Sequence, residues 1–67
     1  MIIKTTYFTN NRSIDRYINL SQVVSFGEAE GDRAEEGFKT VLFMPNGYAM
    51  FSKLSVEEIA ALYNSNI

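Results

Sequence analysis

The strongest local signal in the pattern lies in the last third of the chain, where two mainly apolar stretches, residues 38–44 and 48–54, flank the polar turn Pro45-Asn46-Gly47. Proline presets φ for the first central position of a turn, asparagine suits the second, and glycine accepts the positive φ that follows. The pattern therefore predicts an antiparallel hairpin closed by a type I turn with a bulge. A two-residue closure at Asn46-Gly47 is the alternative.

The first third of the chain also favours strands. Residues 2–8 are rich in β-branched and aromatic side chains, and the polar run Thr9-Asn10-Asn11-Arg12 follows them. Asparagine tolerates left-handed geometry, so this run predicts a tight turn. Residues 13–20 fit both a period of two and a helical face. We favour a strand that forms a hairpin with the first one, then a bend at Ser21-Gln22 and a short strand over residues 23–26.

A helix is predicted to begin after Ser55. Ser55 and Glu58 have the spacing of a capping box, in which each side chain accepts a hydrogen bond from the other residue's amide. Leu54 and Ile59 occupy the positions of a hydrophobic staple on either side of that cap. Asn64-Ser65-Asn66 is expected to end the helix. The predicted apolar stripe consists of Val56, Ile59, Ala60, Leu62 and Tyr63.

Residues 27–37 differ from the rest of the chain because they are almost free of apolar side chains and carry most of the acids. Five acids against one arginine give this acidic segment a net charge of −4, which leaves +2 elsewhere in a chain of net charge −2. We expect a mobile loop, and recognition tends to reside in loops held on a rigid scaffold. The predicted partner-binding residues are Glu28, Glu30, Asp32, Arg33, Glu35 and Glu36.

The closing hairpin is predicted to be apolar on both faces. Alternation puts Phe38, Leu42 and Met44 with Tyr48, Met50 and Leu54 on one face, and Val41, Phe43, Ala49 and Phe51 on the other. One helix of about ten residues is about 15 Å long and can cover one face only. We therefore expect an α+β fold in which a strongly bent antiparallel sheet of four or five strands precedes one C-terminal helix. The second face would be covered by closure into a barrel, by a second copy, or by a partner protein.

Composition narrows the chemistry. The 67 residues make one domain and include no Cys and no His, which excludes disulfides, thiolate-bound zinc and imidazole ligands. The serines lack a histidine to activate them, so we expect no enzyme, no cofactor and no metal. The alternating acids Glu28, Glu30 and Asp32 match a calcium loop poorly, because Gly31 precedes Asp32. No apolar run suggests a signal peptide or a membrane span, and we expect a cytoplasmic protein.

The hypothesis that these features favour is a small non-enzymatic protein-binding module, such as a phage or mobile-element accessory that inhibits or adapts a host protein. The alternative is a nucleic-acid-binding domain with aromatic stacking platforms and basic phosphate contacts. Two features of the chain disfavour this alternative: its basic residues form no evident stripe, and the acidic segment would repel a phosphate backbone. The platforms would be Tyr7, Phe8, Tyr17 and Tyr48, and the phosphate contacts would be Lys4, Arg12, Arg16, Lys39 and Lys53.

Three stretches carry a family resemblance: YINLSQVVSF from Tyr17, TVLFMPNGY from Thr40 and LSVEEIAALY from Leu54. Together they resemble the small flagellar or swarming-motility proteins of the FlbD-like family, and many short phage-encoded proteins. That layout implies an N-L-x-x-V-V strand, a hairpin closing at Asn-Gly and a helix opening with Ser-Val-Glu-Glu. The chain departs from it in the first turn and in the acidic segment before Phe38.

Overall fold

The computed structural model describes residues 1–65. These residues form five strands, two α-helices and one turn of 3-10 helix, and the order of the elements confirms an α+β fold. The strands are β1 (Ile2–Thr9), β2 (Arg12–Asn19), β3 (Ser25–Glu28), β4 (Thr40–Phe43) and β5 (Ala49–Ser52); the helices are α1 (Gly31–Glu35) and α2 (Val56–Ser65), and the 3-10 turn is Leu20–Gln22.

All five strands belong to one antiparallel sheet with the order β2-β1-β5-β4-β3. The two sequence-local hairpins are joined through β1 and β5, where Thr6 pairs with Phe51. The sheet is open, so closure into a barrel, one of the three predicted ways to cover the second face, is wrong. Part of the reason is that α2 lies between the two edges: its Tyr63 hydroxyl donates to the carbonyl of Leu20 after β2, and its ring stacks on Phe26 of β3.

Both predicted hairpin turns are confirmed by their backbone geometry. Asn10 and Asn11 have φ of 47° and 62°, which is the left-handed pair that a two-residue hairpin loop needs. In the second hairpin the Gly47 amide donates to the Met44 carbonyl at 2.9 Å, and Gly47 has a φ of 89°. The Met44 amide donates to the Tyr48 carbonyl, also at 2.9 Å. These bonds form the predicted type I turn and bulge.

Three strands differ in their bounds from those that the apolar pattern predicted. The strand predicted over residues 48–54 ends at Ser52, because the Ser52 hydroxyl accepts a hydrogen bond from the Leu54 amide at 3.0 Å and turns the chain toward α2. The strand predicted over 23–26 begins only at Ser25, because Val23 still bonds back to the Leu20 carbonyl at the end of the 3-10 turn. Residues 13–20 do form a strand, β2, shifted by one residue.

The core lies between α2 and one face of the sheet. It contains five buried apolar side chains, to which Leu54, Leu62 and Tyr63 add partial burial. The polar groups buried with them are bonded: Thr40 donates to the Leu54 carbonyl at 2.7 Å, and Thr5 donates to the Arg16 carbonyl at 3.0 Å. The five core residues are Ile3, Leu20, Leu42, Met50 and Ile59.

The capping box at the start of α2 is confirmed. The Ser55 amide donates to Oε1 of Glu58, and the Glu58 amide donates to Oγ of Ser55, each at 3.1 Å. The hydrogen bonds to Ser55 lower the pKa of Glu58, and the charge of Lys39 acts in the same direction. The helix continues through Ser65, beyond the Asn64 at which its end was predicted to begin, and Asn66 lies outside the described residues.

Candidate functional site

Three phenylalanine rings from distant parts of the chain meet on the sheet face opposite α2. Phe8 of β1 packs edge to face against Phe51 of β5, with ring centroids 5.5 Å apart. Phe38 meets Phe8 at 5.4 Å and Phe51 at 6.1 Å. The expectation that Phe38 shares a face with Leu42 is wrong, because β4 begins only at Thr40 and strand alternation does not extend back to residue 38.

The acidic segment crosses this face and is attached to it by Arg33. The guanidinium carbon of Arg33 lies 3.6 Å from the centroid of the Phe8 ring, which is a cation–π contact. Nη1 of Arg33 also donates to both carboxylate oxygens of Glu36, at 3.1 and 3.2 Å. The segment contains the short helix α1, where a loop was predicted. Its mobility stays a prediction.

A groove of about 500 Å³ runs between α1 and the first hairpin. Its floor is formed by Phe8, Phe38 and Phe51, and we call it the phenylalanine groove. One wall comes from β1 and β2, the other from the end of α1. The wall residues are Lys4, Thr5, Thr6, Ser13 and Asp15 on the hairpin side, Glu36 on the α1 side, and Lys53 after β5.

The charges around the phenylalanine groove are only partly paired. Lys4 lies 3.5 Å from Asp15, and both side chains are more than half exposed, so this pair adds little stability. Nζ of Lys53 lies 5.4 Å above the Phe38 ring. Arg12 lines an adjoining cleft of about 400 Å³ together with Phe8. Within residues 1–65, neither Lys53 nor Arg12 has a carboxylate within 4.0 Å.

The predicted partner-binding residues divide into two groups. The five acids are exposed, and they lie along the end of β3, on α1 and just after it. Arg33 is only partly exposed, because it stacks on Phe8 and pairs with Glu36. Arg33 attaches the segment to the sheet, and its contact with a partner stays a prediction. The exposed acids are Glu28, Glu30, Asp32, Glu35 and Glu36.

The residues of the nucleic-acid alternative are not brought together. Lys4, Phe8 and Lys53 line the phenylalanine groove, whereas Tyr7 belongs to the face covered by α2. The Tyr7 ring lies 5.0 Å from that of Tyr48, and both rings line a separate cavity of about 290 Å³ with Arg16 and Tyr17. Lys39 lies beside the start of α2. The set is therefore divided between two faces of the sheet.

Sequence reasoning missed the site as an assembly, although it identified several of its parts. Phe51 was placed on the uncovered face, and Phe8 was considered only as a stacking platform. Thr6 and Asp15 are not among the site residues predicted from the sequence, and Ser13 enters only as one of the serines that lack an activating histidine. The alternation in residues 2–8 could have placed Phe8 with Thr6 and Lys4, because Ile3 and Tyr7 fill the core side of the same strand.

Comparison with known proteins gives no assignment: no family model matches the chain, and no curated protein or solved structure is similar to it. The resemblance to FlbD-like proteins stays a prediction. Neither described helix has the length and apolar character needed to cross a membrane. Among residues 1–65, no group of three or more acidic side chains is placed to hold a metal ion.

Proposed function

We propose that this chain is a small non-enzymatic protein-binding module whose binding surface is the phenylalanine groove together with the acidic side of α1. The single observation that carries the proposal is the stack of Arg33 on Phe8. It fixes a segment of exposed carboxylates beside partly covered aromatic rings. Partly covered apolar surface next to charged groups is typical of an interaction site.

A protein suits this surface better than a nucleic acid does. A polypeptide can present apolar side chains to the Phe8, Phe38 and Phe51 floor and cations to the acids of α1. A phosphate backbone would meet Glu36 inside the groove and the acids of α1 along its rim. The absence of His and Cys from the sequence supports a role without catalysis.

We further propose that the sheet is strongly bent, which would turn this face into a saddle. β2 and β3 are opposite edges, and a flat sheet would separate them by about 19 Å. Only residues 20–24 connect them, and three of these are coiled in the 3-10 turn. At about 2 Å per residue in that turn and about 3.4 Å elsewhere, the connection reaches about 16 Å. A bend brings the edges within that reach.

The test of this proposal neutralises three acids of the acidic segment without introducing positive charge. The variant Glu30→Gln, Asp32→Asn, Glu35→Gln changes the net charge by three, and these side chains are exposed and form no hydrogen bond among the described residues. Partners of the tagged protein would be cross-linked in its native cell and quantified by mass spectrometry. We expect the variant to lose most of the partner signal while its melting temperature stays within a few degrees.

The matched control changes the net charge by the same three units elsewhere. Ser21→Lys, Gln22→Lys and Asn64→Lys are exposed positions far from the phenylalanine groove. This control should retain the partner signal. Equal signals from both variants would mean that the acidic segment is not the recognition element.

A further inference from the structure

The sheet face opposite α2 carries a ridge and a groove side by side. The ridge is α1, which has no buried residue and is attached through Arg33. The groove is the phenylalanine groove, which lies between that ridge and β2. A surface with a ridge next to a groove can be self-complementary, because a two-fold axis between them places each ridge in the other copy's groove.

The charges of the ridge and of the opposite wall are complementary. The segment from Glu30 to Glu36 has four acids and one base, a net charge of −3. The hairpin wall, the position after β5 and the adjoining cleft contribute three bases and one acid, a net charge of +2: Lys4, Lys53, Arg12 and Asp15. Two copies related by a two-fold axis would therefore bring opposite charges together twice.

Apolar surface on the same face would be covered by this contact. Ile2 alternates with the buried Ile3 along β1, and Phe43 alternates with the buried Leu42 along β4, so both side chains leave the sheet on the groove side. Ile2 is 60% exposed and Phe43 is 43% exposed. Neither side chain lines the phenylalanine groove, so both add exposed apolar surface to this face outside the groove.

We infer that the occupant of this face is a second copy of the chain, in a two-fold dimer where α1 of each copy lies in the phenylalanine groove of the other. The inference rests on the proposed function, since it names the partner of the same surface. Asp32 and Glu35 of one copy face Lys4 and Lys53 of the other. Salt therefore weakens the dimer, because rim charges are screened.

Two complementary variants test the arrangement. The first carries Lys4→Glu and Lys53→Glu, and the second carries Asp32→Lys and Glu35→Lys. Each alone brings like charges together at both contacts, so each should sediment as a monomer where the unchanged chain is a dimer. Mixed in equal amounts they should form a heterodimer, because every contact again joins opposite charges. Sedimentation velocity from about 1 µM to about 1 mM covers the range of a modest interface.

Controls separate loss of the interface from loss of the fold. Phe43→Lys should weaken dimerisation at least about tenfold, whereas Val24→Lys, at an exposed apolar position beside β3 that does not line the phenylalanine groove, should not change it. Circular dichroism checks that each variant is folded. An unchanged chain that stays monomeric up to about 1 mM, or a mixture that fails to restore the dimer, overturns the inference.

The outcomes also distinguish this inference from the proposed function. If the unchanged chain is monomeric but the charge-neutralised variant still loses its cross-linked partners, the surface binds a different protein and only the dimer is refuted. If the chain is monomeric and those partners are unaffected as well, both proposals fail. A dimer that the complementary charge variants break and their mixture restores supports both.

Discussion

The two faces of the sheet are covered in different ways, although the same alternating strands supply both. On one face, α2 buries Leu42, Met50 and Ile59, and the hydroxyls enclosed there are hydrogen-bonded. On the other face, the five-residue α1 has no buried side chain and is attached through Arg33. Apolar burial therefore holds the first cover, and the cation–π contact of Arg33 with Phe8 holds the second.

This difference assigns different roles to the two faces. Burial of a large aliphatic side chain contributes about 1.5 to 3 kcal/mol, whereas an exposed cation–π contact contributes about 0.5 to 1 kcal/mol. The α2 face therefore determines whether the domain folds. The α1 face can be changed with little loss of stability, which is compatible with the proposed binding surface.

Adjacent residues on β4 give the sharpest test of that comparison. Leu42 is fully buried against α2, and its neighbour Phe43 points to the other face. We expect Leu42→Ala to lower the free energy of unfolding by about 2 to 5 kcal/mol, because it leaves a cavity. Phe43→Ala should lower it by about 0.5 kcal/mol or less. Urea denaturation followed by circular dichroism measures both.

A domain of this size has only a few kcal/mol of stability, so Leu42→Ala could abolish folding. Leu42→Val, which removes one methylene, should then lower the free energy of unfolding by about 1 kcal/mol. Equal losses from Leu42→Val and Phe43→Ala would show that the two faces do not differ as proposed.

The start of α2 is the next most sensitive point on the core side. Ser55→Ala removes the hydroxyl that accepts from the Glu58 amide, and we expect a loss of about 1 kcal/mol in the free energy of unfolding. Thermal denaturation at neutral pH measures it. An unchanged melting temperature would show that the cap contributes nothing.

The pH dependence of stability tests the same capping box, because the Glu58 carboxylate belongs to it. Its pKa is lowered in the folded state by the hydrogen bonds to Ser55, so its carboxylate stabilises the fold above the unfolded pKa. That contribution is lost as the pH falls through the lower folded pKa. Ser55→Ala removes one of the two bonds and brings the folded pKa closer to the unfolded one, so in the variant the loss should be smaller and should be complete at a higher pH. Melting temperatures between neutral pH and about pH 3 would show the shift.

The parts of the fold that could be predicted are those whose conformation is set by residues close together along the chain. The turn at Pro45-Asn46-Gly47 and the box at Ser55 and Glu58 are fixed by the conformational preferences of adjacent residues, so short patterns reveal them. The open sheet could not be predicted in this way, because pairing of β1 with β5 depends on residues more than forty positions apart.

The site was harder to predict for the same reason. α1 lacks a start signal, since Glu30 makes no side-chain capping bond. It is held by Arg33 on Phe8, which is twenty-five positions away along the chain. Phe38 illustrates a second limit: alternation predicts a face only inside a strand, and residue 38 lies before β4 begins.

Arg33→Met gives the smallest effect and tests the α1 side directly. Methionine keeps a long side chain over Phe8 but removes the charge and the pairing with Glu36. We expect a loss of about 0.5 to 1 kcal/mol. Hydrogen exchange should accelerate about two- to fivefold at Gly37 and Phe38, whose amides bond to carbonyls of α1. Lys53→Met is the matched control, since its contact of 5.4 Å with Phe38 is weaker and leaves α1 in place. Unchanged exchange in Arg33→Met would mean that the stack does not hold α1 on the sheet.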